Sequence, residues 1–409
     1  MRRPRKTCGL HADAEWPTFL AMEILEGSSL STDSERAVAE AVHGWTSSPD
    51  MILAFSSPVR PADGVARALA ARFPSAQVVG CTTAGEHLSG AHFTGGLVLT
   101  GMSSPRMRWA TALIDDLATA DEARVVAAVD QMFATLGVDR DSFDPKRYFC
   151  LYFVDGLSGA EERVTPLVAD ALDGISLLGG SAGDDLAFQR TEVMFGGRAC
   201  SGAAVLALCE TDVAFTILKH QHFATTSRLL AITKADVAGR RVYEIDGQPA
   251  AIAYARAVGV PLDQLTDAMT LENPLTFQHQ HQLYVRSIQK IHPDHSISFY
   301  CAIEQGMVVD VGRHEAFVPA LAAELARTAS AGPIDLLIGS NCVLRALETA
   351  SGGYYEDVEG LFKKFTKHMI GFDTYGEQLD GLHINQTLVA LVLRDLTKTS
   401  KTSETAETA

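Results

Sequence analysis

The sequence has little of what nucleic-acid-binding proteins require, because positive charge is scarce. Lys and Arg number 34 against 50 Asp and Glu, which gives a net charge of −16. A protein that binds a phosphate backbone needs a basic surface, and the only dense basic run is "RRPRK" at positions 2–6. The composition therefore argues against a nucleic-acid partner.

Long apolar runs are also missing. No segment reaches the roughly 18 consecutive apolar residues that a transmembrane helix needs. The residues after "RRPRK" read "TCGLHADAEW", which is too polar for the apolar core of a signal peptide. We therefore expect no membrane span and a cytoplasmic location.

Cysteine is present but not in a pattern that suggests disulfides or thiolate metal sites. The seven cysteines are odd in number, widely scattered and contain no CxxC pair. A disulfide framework and a cysteine zinc site are therefore not expected.

What the chain does have is enough apolar sequence for more than one core. Hydrophobic residues make up 47% of its 409 positions, which is typical of a globular protein with two or three domains. We predict a mixed α/β fold in two lobes, residues 15–228 and 229–396. The remaining residues 397–409, "TKTSKTSETAETA", lack apolar side chains and are predicted to form a disordered tail.

A short unit occurs three times along the chain. "GCTTAGE" (80–86) and "GFDTYGE" (371–377) share the pattern G-x-x-T-x-G-E, and "GGSAGD" (179–184) is a shorter relative. Each follows a strand-like run and a helical run, and each precedes another apolar strand. The glycines permit a tight turn, and the acidic residue suits a position that accepts hydrogen bonds from turn amides. We interpret these turns as structural, with contact to a ligand as the alternative.

The second lobe begins with different signals. "RRVYEIDGQPA" alternates around Asp246-Gly247 as a β-hairpin does. "AAIAYARAVG" reads as a helix that ends at a glycine, and "EAFVPALAAELARTASAG" reads as an amphipathic helix. Strand pairs and helices are thus predicted in both lobes.

Several segments together resemble the FIST family, a bacterial sensory module with N- and C-terminal halves. They are "VVGCTTAGE", "LLGGSAGDD", "VYEIDGQPAAIAYARAVG", "IGSNCVLRALE" and "IGFDTYGEQ", and the resemblance spans about residues 20–395. It implies a sensor without catalytic activity that acts on a partner histidine kinase or a cyclic-di-GMP pathway.

The stretch "LKHQHF" (218–223) is similar to the haem-binding, nitric oxide-sensing (NosP-like) subgroup of that family. The subgroup implies haem b as cofactor and nitric oxide or another diatomic gas as ligand. Residues two apart on a strand share one face, so His220 and His222 can present imidazoles to one pocket. We expect His222 as the axial iron ligand and His220 as the alternative ligand. The competing interpretation is a pair of strand-end histidines half exposed to water.

Other histidines give weaker signals. His279 and His281 form a second pair in "TFQHQHQLY". The two pairs could bind zinc or copper if they met in space, although the flanking glutamines favour exposure. His87 and His383, near the repeated turns, are interpreted as structural.

Two further functions stay open from the sequence. The first is a FIST module that senses a small organic metabolite, such as an amino acid, in a cleft between the lobes without haem. The second is a thiol enzyme that uses Cys81, because amides of its Gly-rich turn would lower the pKa of the thiol.

Overall fold

The computed structural model describes residues 21–279 and 281–395. The predicted tail at 397–409, the basic run at 2–6 and Cys8 lie outside the described residues.

The helices and strands are numbered in chain order. The helices are α1 (Ser34–Ala41), α2 (Ala62–Arg72), α3 (Glu122–Leu136), α4 (Glu161–Ala171), α5 (Ala250–Val258), α6 (Asp267–Glu272), α7 (Phe317–Ala329), α8 (Val343–Gly352) and α9 (Tyr355–Phe365). The strands are β1 (Glu23–Ser29), β2 (Met51–Ser56), β3 (Gln77–Thr82), β4 (Glu86–Leu88), β5 (Ala91–Phe93), β6 (Leu97–Ser103), β7 (Met107–Ile114), β8 (Tyr148–Val154), β9 (Ser176–Ser181), β10 (Val193–Phe195), β11 (Arg198–Cys200), β12 (Ala204–Thr211), β13 (Ala214–His220), β14 (Phe223–Asp236), β15 (Arg241–Ile245), β16 (Gln248–Pro249), β17 (Leu275–His279), β18 (Gln282–Arg286), β19 (Ile288–Ile291), β20 (Ile297–Phe299), β21 (Val308–His314), β22 (Ile334–Cys342), β23 (Thr366–Thr374), β24 (Glu377–Leu379), β25 (Leu382–Ile384) and β26 (Leu388–Arg394). This is the mixed α/β fold in two lobes that the sequence predicts.

Three of the four sheets in the described part of the chain have the same plan. Their orders are β1-β6-β2-β3-β10-β11, β7-β12-β8-β9-β24-β25 and β13-β26-β22-β23-β4-β5. In each sheet two central strands run parallel, β2 with β3, β8 with β9 and β22 with β23. Their runs of aliphatic and aromatic residues suit strands covered on both faces. The unit found three times in the sequence is therefore one sheet-forming unit used three times.

The third unit differs from the other two in its helices. The sequence predicts one helical run before "GFDTYGE", whereas the structure has α8 and α9 between β22 and β23. The segment "VLRALE" begins α8 directly after the strand, with Val343, Leu344 and Arg345 all buried. Two helices therefore lie where one helical run was predicted.

The hairpin after each Gly-rich turn pairs with the sheet of another unit. Hairpin β4–β5 of the first unit joins β23 of the third, with Glu86 opposite Phe372. Hairpin β10–β11 of the second unit joins β3 of the first. Hairpin β24–β25 of the third unit joins β9 of the second. The exchange is cyclic, so each unit completes the sheet of a neighbour.

The centre of the molecule is the place where the three sheets meet. Phe55 on β2, Phe153 on β8 and Phe372 on β23 pack their rings together, with centroids 4.5–5.8 Å apart. All three are 0–1% exposed and belong to one apolar cluster that draws on all three sheets. Burial of such large side chains is a main source of folding free energy.

The fourth sheet is an insertion into the third unit. It comprises β14 to β21 in the order β18-β17-β21-β14-β15-β20-β19, with β16 paired to β15. The predicted hairpin is present, because Asp246 and Gly247 have φ of 53° and 70°, as the turn requires. The predicted helix α5 ends at Gly259, with φ of 95°. The segment "LKHQHF" lies at the start of this insertion.

The acidic residues of the G-x-x-T-x-G-E turns are buried and hydrogen-bonded. Glu86 accepts from the hydroxyl of Thr83 and from the Gly96 amide at 2.8 Å. Glu377 accepts from the Thr387 amide at 3.0 Å and from the same residue's hydroxyl. These carboxyls tie each turn to the strand that follows it.

In the part of the chain that the structure describes, no helix combines the length and the apolar character needed to cross a membrane.

The burial of Glu377 predicts a pH-dependent stability. Burial raises the pKa of Glu377 to about 8, whereas an unfolded glutamate titrates near pH 4.3. The folded state therefore keeps a proton that the unfolded state releases, and stability falls as pH rises towards 8. Between pH 6.5 and 8, we expect the Glu377→Gln variant to lose about 2 kcal/mol less unfolding free energy than the wild-type protein loses.

Urea unfolding at these two pH values measures the difference. Glu356→Gln, at an exposed position of α9, is the control and should keep the wild-type profile. An unchanged pH profile in Glu377→Gln would contradict the assignment of a protonated carboxyl.

Candidate functional site

The two histidines of "LKHQHF" lie together inside the protein. His220 ends β13 and His222 stands in the link to β14. Their rings are nearly parallel, with an interplanar angle of 16° and centroids 6.3 Å apart. They are 4% and 1% exposed, so both are buried rather than half exposed.

Both ring nitrogens of His222 have partners. Its Nδ1 is 3.2 Å from Nη1 of Arg345, and its Nε2 is 3.0–3.1 Å from the carboxylate oxygens of Glu348. A guanidinium can only donate, so Nδ1 accepts and the proton of His222 is on Nε2, which donates to Glu348. His314 also contacts Glu348, at 2.7 Å.

This arrangement does not fit His222 as a haem ligand. An axial imidazole must turn an unprotonated nitrogen towards the iron, inside an apolar envelope. Neither nitrogen of His222 is free, and its side chain is 0% exposed. The nearby groove of about 580 Å³ is bordered by His314 and Glu348. His222 hydrogen-bonds to Glu348 and is not among the groove residues.

His220 has free nitrogens in an unusual setting. Among the described residues, neither Nδ1 nor Nε2 of His220 has a hydrogen-bond partner. Burial, together with Arg345 and His222, lowers the pKa of His220 to about 2. The side chain borders an open depression of about 330 Å³. The other residues around the depression are mostly polar or charged, unlike the apolar envelope of haem: Ile217, Lys219, Gln221, Gln282, Leu283, Glu324 and Arg327.

The other histidines singled out from the sequence lie in three different places. His279 and His281 are both exposed. His383 is buried, with Nδ1 2.8 Å from Nε2 of Gln378, which fits the structural role expected for it. His87 lies instead in a cluster of ionisable side chains described below.

Cys81 does not have the environment of a reactive thiol. It is fully buried on β3, and burial, with the nearby Glu86, raises the pKa of its thiol well above the usual value. The expectation that turn amides would lower this pKa is wrong, because burial disfavours the thiolate and raises the pKa. The thiol-enzyme hypothesis therefore loses its nucleophile.

A second cluster joins the first unit to the third. Nε2 of His87 lies 2.8 Å from Oδ1 of Asp373, and Nε2 of His92 lies 3.2 Å from Oδ2. Asn341 donates to Oδ1 of Asp373 at 2.8 Å. Although burial raises the pKa of the Asp373 carboxyl, His87 and His92 lower it, and the net shift is well below its usual range. Asp373 is therefore a buried carboxylate.

Arg345 borders a small cavity next to this cluster. The cavity has a volume of about 30 Å³, and Arg345 is 1% exposed. The guanidinium donates from Nε to Asn341 at 3.0 Å and lies 4.6 Å from the ring centre of Phe317. Among the described residues, it makes no salt bridge within 4.0 Å. Burial lowers the pKa of Arg345 to about 10.

The sequence contained partial signals for these residues. In "EHLSGAHF" the two histidines flank a Ser-Gly turn, and in the hairpin His87 pairs directly with His92. Arg345 interrupts the apolar face of "CVLRALE". Nothing local places either signal near Asp373.

The buried His220 predicts sensitivity to acid. An unfolded histidine binds a proton below about pH 6.5, whereas folded His220 stays neutral down to about pH 2. Stability is therefore lost as pH falls below 6.5. We expect His220→Leu to lose about 2 kcal/mol less than wild type between pH 7.5 and 5, as measured by urea unfolding. The exposed His43 supplies the control, since His43→Asn should lose as much as wild type. Equal losses in His220→Leu and wild type would refute the prediction.

Comparison with known proteins identifies the two halves of the chain. The FIST N domain matches residues 50–248 and the FIST C domain matches residues 250–380. The comparison with curated proteins found no match. A crystal structure of cyanuric acid hydrolase from A. caulinodans aligns with 91% of this chain and 98% of its own, at 8% identity and a TM-score of 0.38. FIST domains are sensor modules of signal transduction, and this chain belongs to the FIST family.

Proposed function

We propose that the protein is a signal-transduction sensor that binds a small carboxylate-bearing metabolite, such as an amino acid, in the cavity beside Arg345. One observation carries the proposal. Arg345 is a buried cation that borders a cavity and has no carboxylate within 4.0 Å among the described residues.

A buried guanidinium without an ionic partner is unfavourable, because it has lost its hydration. A ligand carboxylate would accept the unused N–H donors in the paired geometry that arginine favours. Phe317, Leu321 and Met369 line the cavity and would contact the apolar part of the ligand. The volume of about 30 Å³ admits a few water-sized groups, which favours a ligand with a short carbon chain.

The cavity is bordered by both lobes. Gly90 and His92 come from hairpin β4–β5 of the first lobe, whereas Phe317 and Arg345 come from the second. A ligand that prefers one placement of the hairpin over another would shift the population of the two. We propose that this shift reaches a partner histidine kinase or a cyclic-di-GMP pathway, the output that family membership supports.

The first test measures the binding of acetate and the proteinogenic amino acids by calorimetry and thermal shift. We expect acetate, and one or more amino acids, to bind and to raise the melting temperature. Acetamide should not, because it lacks the charge. Arg345→Leu should weaken binding about tenfold or more, since a hydrogen bond to a charged group contributes roughly 1.5–3 kcal/mol.

Arg327→Leu is the matched control. Arg327 lies on α7 with its side chain 72% exposed, so its loss should leave binding unchanged. Acetamide binding as well as acetate, or full affinity in Arg345→Leu, would contradict the role of the guanidinium. A wild-type protein that binds none of these compounds would contradict the proposed ligand class.

Haem b sensing of nitric oxide is the second candidate. It is favoured by one observation, the buried imidazole of His220 with both nitrogens unpaired among the described residues, although the mostly polar residues around the depression do not form an apolar haem envelope. His220 is therefore preferred over His222 as the ligand, because both nitrogens of His222 are engaged.

A visible spectrum of protein purified from haem-replete cells tests this candidate. If it is correct, a Soret band will be present, will move on addition of nitric oxide, and will be lost in His220→Ala but kept in His43→Ala. Colourless protein that also takes up no added haemin would exclude haem and leave the metabolite proposal unaffected.

A further inference from the structure

We propose that His87, His92 and Asp373 bind a transition-metal ion of the zinc class at the junction of hairpin β4–β5 and β23. One ligand atom from each residue lies within 4.8 Å of the others. Two imidazoles and one carboxylate are a ligand set that zinc and related divalent metals use. Metal binding at this position would link the first lobe to the second.

The backbone holds the three side chains in place. His87 and His92 stand opposite each other in the hairpin. The turn directly before the hairpin bonds to the residue that supplies the carboxylate. The amide of Asp373 donates to the Gly85 carbonyl at 2.8 Å, and the amide of Ala84 donates to the Asp373 carbonyl at 3.0 Å. The spacing of the ligands is therefore fixed by strand pairing rather than by flexible loops.

Room for an ion next to the carboxylate depends on Gly85. A Cβ at this position would lie 2.4 Å from Oδ2 of Asp373 and 2.9 Å from Nε2 of His92. Both are proposed ligand atoms, so any side chain at position 85 would fill the space between them. Glycine in the first Gly-rich turn thus keeps this site open.

A hydrogen bond and a ring contact hold the proposed metal ligands in place. Asn341 donates to Oδ1 of Asp373 at 2.8 Å, and the ring of Tyr355 stacks on His92 with centroids 4.6 Å apart. Partners of this type orient metal ligands and tune their affinity. His87 and His92 also border the cavity beside Arg345, so the open coordination position of a three-ligand site would have access to that cavity.

A second trio with similar spacing does not qualify. His222, His314 and Glu348 also lie within 4.8 Å of one another. However, a metal on Nε2 of His222 would leave the ring proton on Nδ1, where the N–H of Arg345 already donates. A buried guanidinium next to the ion would add repulsion. The first trio has no such donor on its ring nitrogens among the described contacts.

The alternative without metal is a buried carboxylate that accepts hydrogen bonds from two imidazoles. The Asp373 carboxylate has suitable partners in both interpretations, so metal binding has to be measured directly. Chelator-treated protein is titrated with Co²⁺, and the visible absorption of the ion is recorded. Competition with Zn²⁺ then gives the zinc affinity. We expect one equivalent of Co²⁺, ligand-field bands in the visible range, and displacement by one equivalent of Zn²⁺.

Variants locate the site. His87→Ala and His92→Ala should weaken zinc binding by about 100-fold or more, and Asn341→Ala by about tenfold, the range for losing a supporting contact. His314→Ala, in the second trio, is the matched control and should bind as wild type does. His92→Cys should retain Co²⁺ and add the near-ultraviolet charge-transfer band of a thiolate ligand, which also shows that a substituted hairpin remains folded.

Wild-type protein without saturable Co²⁺ bands, or equal zinc affinity in wild type and His92→Ala, would overturn the proposal. If His314→Ala lost metal binding and His87→Ala kept it, the metal site would be the second trio, and the proposal would also be wrong. All these measurements are made without an organic ligand, so their outcome is separate from that of the carboxylate-binding tests.

Discussion

The cyclic exchange of hairpins is the constraint on which the rest of the structure depends. A three-residue strand such as β4 (Glu86–Leu88) has too few hydrogen bonds to be stable alone, and an open sheet edge is a liability. Pairing β4 with β23, β10 with β3 and β24 with β9 solves both problems at once. Because each unit supplies the edge of another, the two lobes cannot separate without the loss of strand pairing and of the central phenylalanine contacts.

The exchange also explains why buried charges gather where the lobes join. Hairpin β4–β5 brings His87 and His92 to Asp373, and Asn341 then links Asp373 to Arg345. Arg345 continues the chain to His222. Isolated buried charges are unfavourable, so a connected polar network inside an apolar core commonly reflects function as well as stability.

The sequence predicted what depends on neighbouring residues and missed what depends on distant ones. The repeated turns, the Asp246-Gly247 hairpin and the end of α5 follow from local backbone preferences, and all were predicted. His87 and Asp373 are 286 positions apart, and no local pattern shows that they meet. The same holds for His222, whose tautomer is set by a guanidinium 123 positions away. The pKa of the Cys81 thiol was predicted wrongly, because the sequence of its own turn does not show that other units bury it.

The proposed metal and the proposed carboxylate ligand would be coupled by electrostatics. Burial lowers the pKa of Arg345, whereas the nearby Glu348, Glu377 and Asp373 raise it, and Asn341 hydrogen-bonds to both Arg345 and Asp373. A divalent cation on Asp373 would more than cancel that negative charge, so the field at the cavity would become more positive. An anion bound at Arg345 would restore the balance, and each would increase the affinity for the other by the same factor. A cavity that binds anions more tightly when the metal is bound would make the hairpin junction respond to two signals instead of one.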